Sequence, residues 1–336
     1  MRAVRLAETS GPAALRVEQI PVPTPGEGEV LVRVRAAALN RRDLFITQGK
    51  YPNIVLPQTL GADGAGEVAA FGAGAKTELK VGDDVVIDPM IGWGDDERVW
   101  DGRTSSLLGM PSAGTFAEYA CVPAANVYVK PRGLTMEEAA AIPLAGLTAY
   151  RATFVRGRLQ PGETVLITGV GGGVQTFALI FAKHARARVI VTSSSDEKLE
   201  QARALGADLT LNYRTTADWH KQARAAGPID LAIDSSGGDT VAKLLDAVRP
   251  GARIVVYGGT VGEATIRMFP LFWKHVDLLG TSMGSAQDFA EMLAIFEEGQ
   301  PLKPAVDRIY PLEDVVSAVE RMQEASQFGK IVLRID

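Results

Sequence analysis

The sequence predicts an α/β protein that combines a β-rich part with a doubly wound parallel sheet. Two observations support this fold class. Glu29–Val34 alternates polar and apolar residues, the pattern of a strand with one buried face. From Glu163 onward, short apolar segments such as Thr164–Thr168 and Arg188–Thr192 alternate with amphipathic helical patterns. That alternation is typical of parallel sheets with helices on both faces.

The remaining segments fill in this plan. Gly61–Gly74 contains five glycines, which predicts tight bends and close backbone contacts, and Asp88–Ser112 lacks periodicity and is expected to form a surface lobe. Near the end of the chain, apolar residues spaced i, i+3, i+4, i+7 and i, i+1, i+4, i+7 predict two helices with buried faces. These faces consist of Phe289, Met292, Leu293 and Phe296, and of Val315, Val316, Val319 and Met322. Lys330–Arg334 is expected to be a strand that returns to the β-rich part.

Composition excludes several classes of protein. The 336 residues are 46% hydrophobic and 22% charged, as in ordinary globular proteins. A net charge of −5 and a pI near 5.4 argue against a nucleic-acid partner, which would require a basic face. No apolar run is long enough to suggest a membrane span. Cys121 is the single cysteine, so no intramolecular disulfide can form, and we expect a cytoplasmic location.

The sharpest local signal is a glycine-rich turn between a strand and a helix. The strand Thr164–Thr168 leads into Gly169–Val174 (GVGGGV), and a helical pattern follows. Glycines at this point let the backbone approach a pyrophosphate, and the helix N-terminus offers free N–H groups. The turn therefore predicts a dinucleotide site at Gly171, Gly172, Gly173 and Val174, and the alternative is a plain structural turn. Gln175 stands where the usual fingerprint has its last glycine, which predicts wider packing or a side chain that reaches towards the phosphates.

The end of the second strand of the parallel sheet favours NADP(H) over NAD(H). NAD-specific folds place a carboxylate there to bind the ribose 2′-hydroxyl. Here the strand runs into Thr192–Ser195 (TSSS), with Lys198 one helical turn further. Hydroxyls and an ammonium group suit a 2′-phosphate, so we expect Ser193, Ser194 and Lys198 to bind it, with Tyr213 near the adenine. The alternative is that Ser194 only caps the helix, with Glu197 completing a capping box.

Taken together, these stretches resemble the medium-chain dehydrogenase/reductase superfamily over essentially the whole chain. The resemblance rests on the order and spacing of several motifs: Pro25–Val34, Leu39–Asp43, Gly61–Gly74, Val81–Asp84, Gly114–Tyr119, Ile142–Tyr150, Gly169–Val174, Leu205–Asp208 and Gly329–Leu333. It implies a GroES-like catalytic domain formed by residues 1–125 and 286–336, and a Rossmann domain at 126–285 that binds NADP(H). It also implies a homodimer formed through the last Rossmann strand, near Asp277–Thr281.

The resemblance is to the zinc-free branch of this superfamily. Where zinc alcohol dehydrogenases hold the catalytic metal, this sequence has Asn40, Ala62 and Leu144. Alanine and leucine cannot bind zinc, and asparagine is a poor ligand for it. Asn40-Arg-Arg-Asp43 and Gly49–Pro52 are similar to quinone oxidoreductases and related enone reductases. We therefore predict that the chain has no metal-binding residues.

The resemblance also implies roles for individual residues. Asn40 and Tyr51 are the candidate catalytic residues, as donors to a substrate carbonyl, although Asn40 alternatively holds a turn and Tyr51 is alternatively a packing aromatic. Asp63 is either a leftover carboxylate near the former metal position or a buried partner of an arginine. Further candidates for contact with the cofactor are Arg41, Thr148, Gly258, Gly259, Thr260, Met283, Gly284 and Lys330.

These inferences predict a metal-independent, NADPH-dependent reductase. Without zinc, the alkoxide formed in alcohol oxidation is poorly stabilised. Hydride transfer to a quinone or an α,β-unsaturated carbonyl is then easier than hydride transfer from an alcohol. The expected partner is thus a small carbonyl or quinone substrate. Two alternatives stay open: an alcohol dehydrogenase-like enzyme with an unusual metal site, and a non-catalytic NADPH-binding protein.

Overall fold

The computed structural model of the chain describes residues 1–297 and 302–336. They form two compact units, one made of Met1–Leu147 and Gly284–Asp336 and the other of Thr148–Met283. The first unit extends past the predicted limit at residue 125. It does so because the strand Val127–Val129 pairs with Asp84–Ile87, and the following helix, Met136–Ala140, packs on strands of the same unit. The domain limits themselves stay a prediction.

The elements are numbered in chain order. The strands are β1 (Arg2–Leu6), β2 (Leu15–Gln19), β3 (Glu29–Ala38), β4 (Gln58–Thr59), β5 (Asp63–Phe71), β6 (Asp84–Ile87), β7 (Met90–Ile91), β8 (Ser106–Leu107), β9 (Tyr119–Pro123), β10 (Val127–Val129), β11 (Thr164–Ile167), β12 (Arg188–Ser193), β13 (Leu209–Asn212), β14 (Leu231–Asp234), β15 (Arg253–Val256), β16 (Asp277–Gly280), β17 (Val306–Pro311) and β18 (Lys330–Arg334). The α-helices are α1 (Arg41–Thr47), α2 (Met136–Ala140), α3 (Pro143–Tyr150), α4 (Gly173–His184), α5 (Asp196–Ala204), α6 (Trp219–Ala225), α7 (Gly238–Ala247), α8 (Met268–Trp273), α9 (Ala286–Glu297) and α10 (Val315–Gln323).

The first unit is built around a mixed sheet with strand order β10-β6-β5-β3-β18-β17, and β9 also pairs with β3. The predicted strand at residues 29–34 is the start of β3, which continues to Ala38. As predicted, the final strand β18 returns to this unit, where it pairs antiparallel with β3 and aligns Val332 with Ala38. A smaller sheet, β2-β1-β4, completes the unit together with the β7-β8 hairpin.

The predicted helical faces near the end of the chain are buried in the first unit except at Val316. Phe289, Met292, Leu293 and Phe296 of α9 are buried, as are Val315, Val319 and Met322 of α10, whereas Val316 is half-buried. The α10 face packs with Leu39, Leu44 and Ile46 from the α1 region in one hydrophobic cluster. This cluster lies directly beneath the start of α1, so it fixes where α1 begins.

The predicted lobe at Asp88–Ser112 carries the short β7-β8 hairpin and a buried tryptophan, Trp93. The C-terminal end of the lobe and the residues just after it cross the backbone at Gly61. A Cβ on Gly109 would stand 2.5 Å from the carbonyl oxygen of Gly61, and a Cβ on Gly114 would stand 2.1 Å from it. Only glycine leaves room for backbones this close.

The second unit is a six-stranded sheet, ordered β13-β12-β11-β14-β15-β16, in which every pairing is parallel. Its buried strands pack against helices on the two faces. Leu166, Ile190 and Ile254 lie in one cluster with Trp219 of α6 and Leu244 of α7. The prediction of an α/β fold with a doubly wound parallel sheet is thereby confirmed.

No helix within residues 1–297 or 302–336 combines the length and the apolar character that crossing a membrane would require.

Candidate functional site

The glycine-rich turn lies at the carboxyl edge of the parallel sheet, between β11 and α4. It is tied to the neighbouring strand β12: the Gly169 N–H donates to Thr192 Oγ1 at 3.1 Å, and the Val170 N–H donates to the Thr192 carbonyl at 2.7 Å. Gly172 is the N-cap of α4, so the free N–H groups of the helix start within the turn. The geometry is that of a phosphate cradle.

Gly171 allows a lysine to approach the turn. Its φ is 135°, and a Cβ at this position would stand 2.7 Å from Cδ of Lys198 and 3.2 Å from its Nζ. The side chain of Lys198 therefore lies against the turn at Gly171. An ammonium group at this position suits a negatively charged phosphate.

The side chain of Gln175, predicted either to widen the packing or to reach towards the phosphates, bonds to a serine. Its Nε2 donates to Ser235 Oγ at 2.8 Å, and its Oε1 lies only 2.5 Å from where a Cβ on Gly172 would stand. The carboxamide thus spans from the first turn of α4 to the loop after β14. Its contact with a phosphate stays a prediction.

The serine that caps α5 is not the one that the sequence predicted. The N-cap of α5 is Ser195, whose Oγ accepts the Lys198 N–H at 3.3 Å, so the box of Ser194 with Glu197 is wrong. The helix begins one residue later than that box requires. Ser193 is buried and Ser194 is half-buried outside the cap. Tyr213 is 43% exposed and close by, because its N–H donates to the Ser193 carbonyl.

The loops after β14 and β15 complete this edge of the sheet. Asp234, fully buried, accepts hydrogen bonds from Thr168 Oγ1 and from the Gly237 N–H. Thr260 donates its N–H and its hydroxyl to the Ser235 carbonyl, which places Gly258–Thr260 against the loop after β14.

Thr148 and Met283 lie together where the chain enters and leaves the second unit. The Thr148 hydroxyl donates to Met283 Sδ at 3.9 Å, and Met283 has a positive φ of 52°. Gly284, the next residue, begins the second segment of the first unit, where a Cβ would stand 2.5 Å from Cδ1 of Leu147.

The first unit contains a buried polar cluster centred on Asp63, at the start of β5. Lys330 Nζ donates to Asp63 Oδ2 at 2.8 Å, to Asn40 Oδ1 at 2.7 Å and to the Leu39 carbonyl at 2.7 Å. Asn40 Nδ2 donates to Asp63 Oδ2 at 2.9 Å, and the Leu144 N–H donates to Asp63 Oδ1 at 2.8 Å. Asn40, Asp63 and Lys330 are all buried. Removing one charge from such a pair costs about 3 to 5 kcal/mol, because its partner stays buried and unpaired.

The sheet register brings these distant residues together. Asp63 pairs with Ala38 at the end of β3, and Lys330 is the first residue of β18, on the other side of β3. Asn40 follows two residues after β3 as the N-cap of α1. The cluster therefore sits where β3 ends between its two neighbours.

The sequence predicted a contact between Lys330 and the cofactor, and the structure places its ammonium group in this buried cluster. An ammonium group has three protons, and the three acceptors described above account for all of them. Asp63 has a buried cationic partner as predicted, but the partner is this lysine and not an arginine.

A second group of contacts surrounds Tyr51. Arg42 Nε donates to Tyr51 Oη at 3.2 Å, and its guanidinium lies 4.9 Å from the centre of the tyrosine ring. Arg42 is itself fixed, because its Nη1 donates to the Leu108 carbonyl. The ring of Tyr51 packs on the hydrophobic cluster beneath α1. Tyr51 thus packs as an aromatic while keeping its own hydroxyl proton for donation.

Arg41 and Asp43 flank Arg42 at the start of α1. Arg41 is exposed, and its Nη1 donates to the Met322 carbonyl at 3.3 Å. Asp43 is buried and accepts the Asn40 N–H at 2.8 Å, so it fixes local structure at the start of α1. Its Oδ1 has no hydrogen-bond partner among the described residues. Burial raises the pKa of Asp43 to about 6, although Arg42 and the Asn40 N–H act in the opposite direction.

Several of these contacts were not predicted from the sequence. The pairing of Lys330 with Asp63, the support of Tyr51 by Arg42 and the link of Gln175 to Ser235 were all missed. Asp63 and Lys330 were each singled out, and the β-strand patterns on both sides could have suggested that they meet. Ser235 carried no recognisable signal.

Comparisons with known proteins agree with this architecture. A family described as "Alcohol dehydrogenase GroES-like domain" matches residues 26–132, and one described as "Zinc-binding dehydrogenase" matches residues 173–298. A zinc-type alcohol dehydrogenase-like protein, YogA, from Leptosphaeria maculans is 37% identical over 96% of this chain and 94% of its own length. The chain belongs to the medium-chain dehydrogenase/reductase superfamily. The predicted superfamily and its GroES-like and Rossmann-type folds are confirmed.

Solved structures of the superfamily cover the whole chain. A crystal structure of an NAD-dependent alcohol dehydrogenase is 39% identical, with a TM-score of 0.92 and full coverage of both chains. The 2-octenoyl-CoA carboxylase reductase CinF, in complex with NADP and 2-octenoyl-CoA, is 25% identical, with a TM-score of 0.87 and coverage of 99% of this chain and 87% of its own. As a medium-chain dehydrogenase/reductase, this chain is an oxidoreductase of a family that uses nucleotide cofactors.

The residues of the glycine-rich turn fit such a cofactor. A Cβ at Gly171 or Gly172 would fill the cradle, and the N-terminus of the twelve-residue helix α4 opens into it. Gly171–Val174 would hold the phosphates there.

The residues at the metal positions of medium-chain zinc enzymes do not fit a zinc ion. Asn40, Ala62 and Leu144 offer neither a thiolate nor an imidazole, and Lys330 already donates to the side-chain oxygen of Asn40. Both oxygens of the nearby Asp63 also accept hydrogen bonds. Within residues 1–297 and 302–336, no three His, Cys, Asp or Glu residues are grouped so as to hold a metal.

The raised pKa of Asp43 predicts a pH-dependent contribution to stability. Its folded-state value of about 6 exceeds the value of about 4 expected for an unfolded chain. The folded protein therefore binds this proton more tightly, and the resulting stabilisation is complete below about pH 4 and is lost as the pH rises through 6. The free energy of unfolding of the wild type minus that of Asp43→Asn should fall by up to about 3 kcal/mol from pH 4 to 7, measured by urea unfolding.

Asp96→Asn is the matched control. The exposed Asp96 carboxylate pairs with Arg98, which lowers its pKa to about 2, so its contribution changes below pH 4 and not in this window. Parallel stability curves for the wild type and Asp43→Asn between pH 4 and 7 would contradict the prediction.

Proposed function

We propose that this chain is an NADP(H)-dependent oxidoreductase that transfers a hydride, without a catalytic metal, to a quinone or an α,β-unsaturated carbonyl compound. The observation that carries the proposal is the buried cluster of Asn40, Asp63 and Lys330. Where zinc relatives would hold a metal, this chain has an amide N–H donor, fixed in place by a carboxylate and an ammonium group. An N–H donor can bind a carbonyl oxygen, whereas it stabilises the alkoxide of an alcohol far less than a zinc ion does.

The chemistry follows from the donors that the first unit offers. Reduced nicotinamide, when bound, supplies the hydride. As hydride adds to a carbon of a conjugated carbonyl, electron density moves to the oxygen, where Asn40 donates an N–H and Tyr51 donates an O–H. Arg42 donates to the oxygen of Tyr51, which leaves the phenol proton for the substrate. Tyr51 is therefore also the proton source, and solvent restores its proton.

Preference for NADP(H) is supported by the end of β12. The hydroxyls of Ser193 and Ser194 and the ammonium group of Lys198 are donors suited to a 2′-phosphate. The nearest carboxylate in sequence, Asp196, accepts a hydrogen bond from Asn212 Nδ2 at 2.7 Å, which draws it towards β13. Among the relatives, CinF was solved with NADP and an enoyl thioester, whereas another is named an NAD-dependent alcohol dehydrogenase, so the proposal rests on the residues of this chain.

An acceptor panel tests the function. We expect purified protein to oxidise NADPH with quinones, enals or enones, and to oxidise simple alcohols with NADP⁺ at least tenfold more slowly, because no Lewis acid stabilises the alkoxide. Treatment with a chelator should leave the rate unchanged. Loss of activity on chelation and its return with zinc would overturn the metal-free proposal, and absence of turnover with every acceptor would overturn the reductase.

Ser194→Asp tests the choice of coenzyme. A carboxylate at the end of β12 would repel a 2′-phosphate, so kcat/KM with NADPH should fall on the order of tenfold while kcat/KM with NADH falls much less. Ser194→Ala, which removes the hydroxyl without adding charge, is the matched control and should have a smaller effect. Equal losses with both coenzymes would mean that Ser194 is not near the 2′ position.

We also propose that two copies associate through the second unit, in the cytoplasm, where the single Cys121 stays reduced. The strand β16 is at the end of the sheet, and α8 next to it in sequence exposes an aromatic group. Phe269 stacks on Trp273 at 5.5 Å and meets Phe272 edge-on, and all three side chains are about 60% or more exposed. A second copy, whose β16 can pair antiparallel across a twofold axis, covers this apolar surface.

Trp273→Glu tests the association. A charge in the apolar surface should convert a dimer to a monomer at micromolar concentration, measured by light scattering coupled to size-exclusion chromatography. Trp100→Glu, at an exposed tryptophan of the lobe, should leave the dimer intact. A monomeric wild type, or a Trp273→Glu protein that remains dimeric, would exclude this interface.

A further inference from the structure

The carboxamide of Asn40 is held between two opposite charges. Its Oδ1 accepts from the ammonium group of Lys330 at 2.7 Å, and its Nδ2 donates to the carboxylate of Asp63 at 2.9 Å. Lys330 and Asp63 also bond each other, at 2.8 Å, so the three groups close a triangle. Asn40 is 6% exposed, and both charged partners are less so.

This arrangement allows one orientation of the amide. In a flipped amide, the NH₂ group would face the ammonium group and the oxygen would face the carboxylate. Both hydrogen bonds would then be replaced by repulsive contacts in a site from which water is largely excluded. The charges of Asp63 and Lys330 therefore decide which way round the amide of Asn40 is held.

The orientation leaves an N–H, and not a carbonyl oxygen, available to a ligand. An amide NH₂ group has two protons, and in the part of the chain that the structure describes Asp63 takes one of them. The backbone N–H of Asn40 is used as well, because it donates to Asp43 Oδ2. The second Nδ2 proton is the remaining donor of this residue.

We propose that Asp63 and Lys330 are positioning residues that keep the second N–H of Asn40 directed at the substrate, so that the site selects a ligand through an acceptor oxygen, as in a carbonyl or quinone. This inference rests on the proposed function, in which Asn40 is the donor. It assigns Lys330 an action through Asn40 in place of a direct contact with the coenzyme.

The test is a double-mutant cycle that keeps the buried site neutral. Lys330→Met alone would leave Asp63 unpaired, so it is combined with Asp63→Asn. We expect this pair of changes to lower kcat with an enone or quinone on the order of tenfold or more, while KM for NADPH stays within about twofold. Adding Asn40→Ala should cause no further loss, because the paired residues act only through Asn40.

Two further variants separate positioning from a general structural effect. Lys330→Arg keeps the charge and the donors, and should retain most of kcat even if the neutral pair folds poorly. Lys130→Met removes another largely buried ammonium group, which donates to the Leu134 carbonyl away from Asn40, and should leave kcat unchanged. If the loss in kcat caused by Asn40→Ala multiplied the loss caused by the neutral pair, the inference would be overturned. A rise in KM for NADPH with kcat preserved would also overturn it.

A measurement without turnover distinguishes this inference from the proposed function. In ¹⁵N-labelled protein, the side-chain NH₂ signals of Asn40 are the pair missing from Asn40→Ala. One of the two protons should be shifted downfield by Asp63, and this shift should vanish in the neutral pair. Unchanged signals would overturn the positioning role even in an active enzyme. If the NMR signals are as expected but the protein has no reductase activity, the proposed orientation of the amide is kept and the proposed function is rejected.

Discussion

The buried negative charge of Asp63 is the constraint on which the first unit depends. A carboxylate removed from water must be compensated, and here a lysine, an asparagine and a backbone N–H supply the compensation. These groups come from residues 330, 40 and 144, so one charge fixes the relative positions of β18, the start of α1 and the start of α3. The return of the C-terminal strand to β3 is thus coupled to the geometry of the candidate site.

The geometry of the glycine-rich turn in the second unit depends on the close approach of backbone segments and not on a buried charge. Its glycine-rich turn is tied to β12 through Thr192, and the absence of side chains at Gly171 and Gly172 makes room for Lys198 and Gln175. In the proposed function, the two units would contribute different chemistry: phosphate recognition by free N–H groups in one, and hydrogen-bond donation from a buried, charge-fixed amide in the other.

Local patterns predicted most of the fold, whereas the contacts of the candidate site depend on long-range register. The strands of the parallel sheet and the buried faces of α9 and α10 are visible as periodicity, which is a property of neighbouring residues. The pairing of Lys330 with Asp63 joins residues 267 positions apart and requires β5 and β18 to flank β3. The cap of α5 shows a second limit of prediction from sequence. Ser193, Ser194 and Ser195 are chemically identical, so only the residue at which α5 begins decides which of them caps the helix.

The Leu108 N–H donates to the Pro89 carbonyl at 3.0 Å, which brings the two ends of the 88–112 lobe together and makes the lobe a separable insertion. Because the ends of the lobe meet there, and Gly109 and Gly114 pack against Gly61, the hairpin beyond them can change in length or composition without moving β5, which carries Asp63. Related enzymes can therefore acquire or lose a whole appendage at this point, and a protein engineer could graft a recognition loop there, provided that the three glycines are kept.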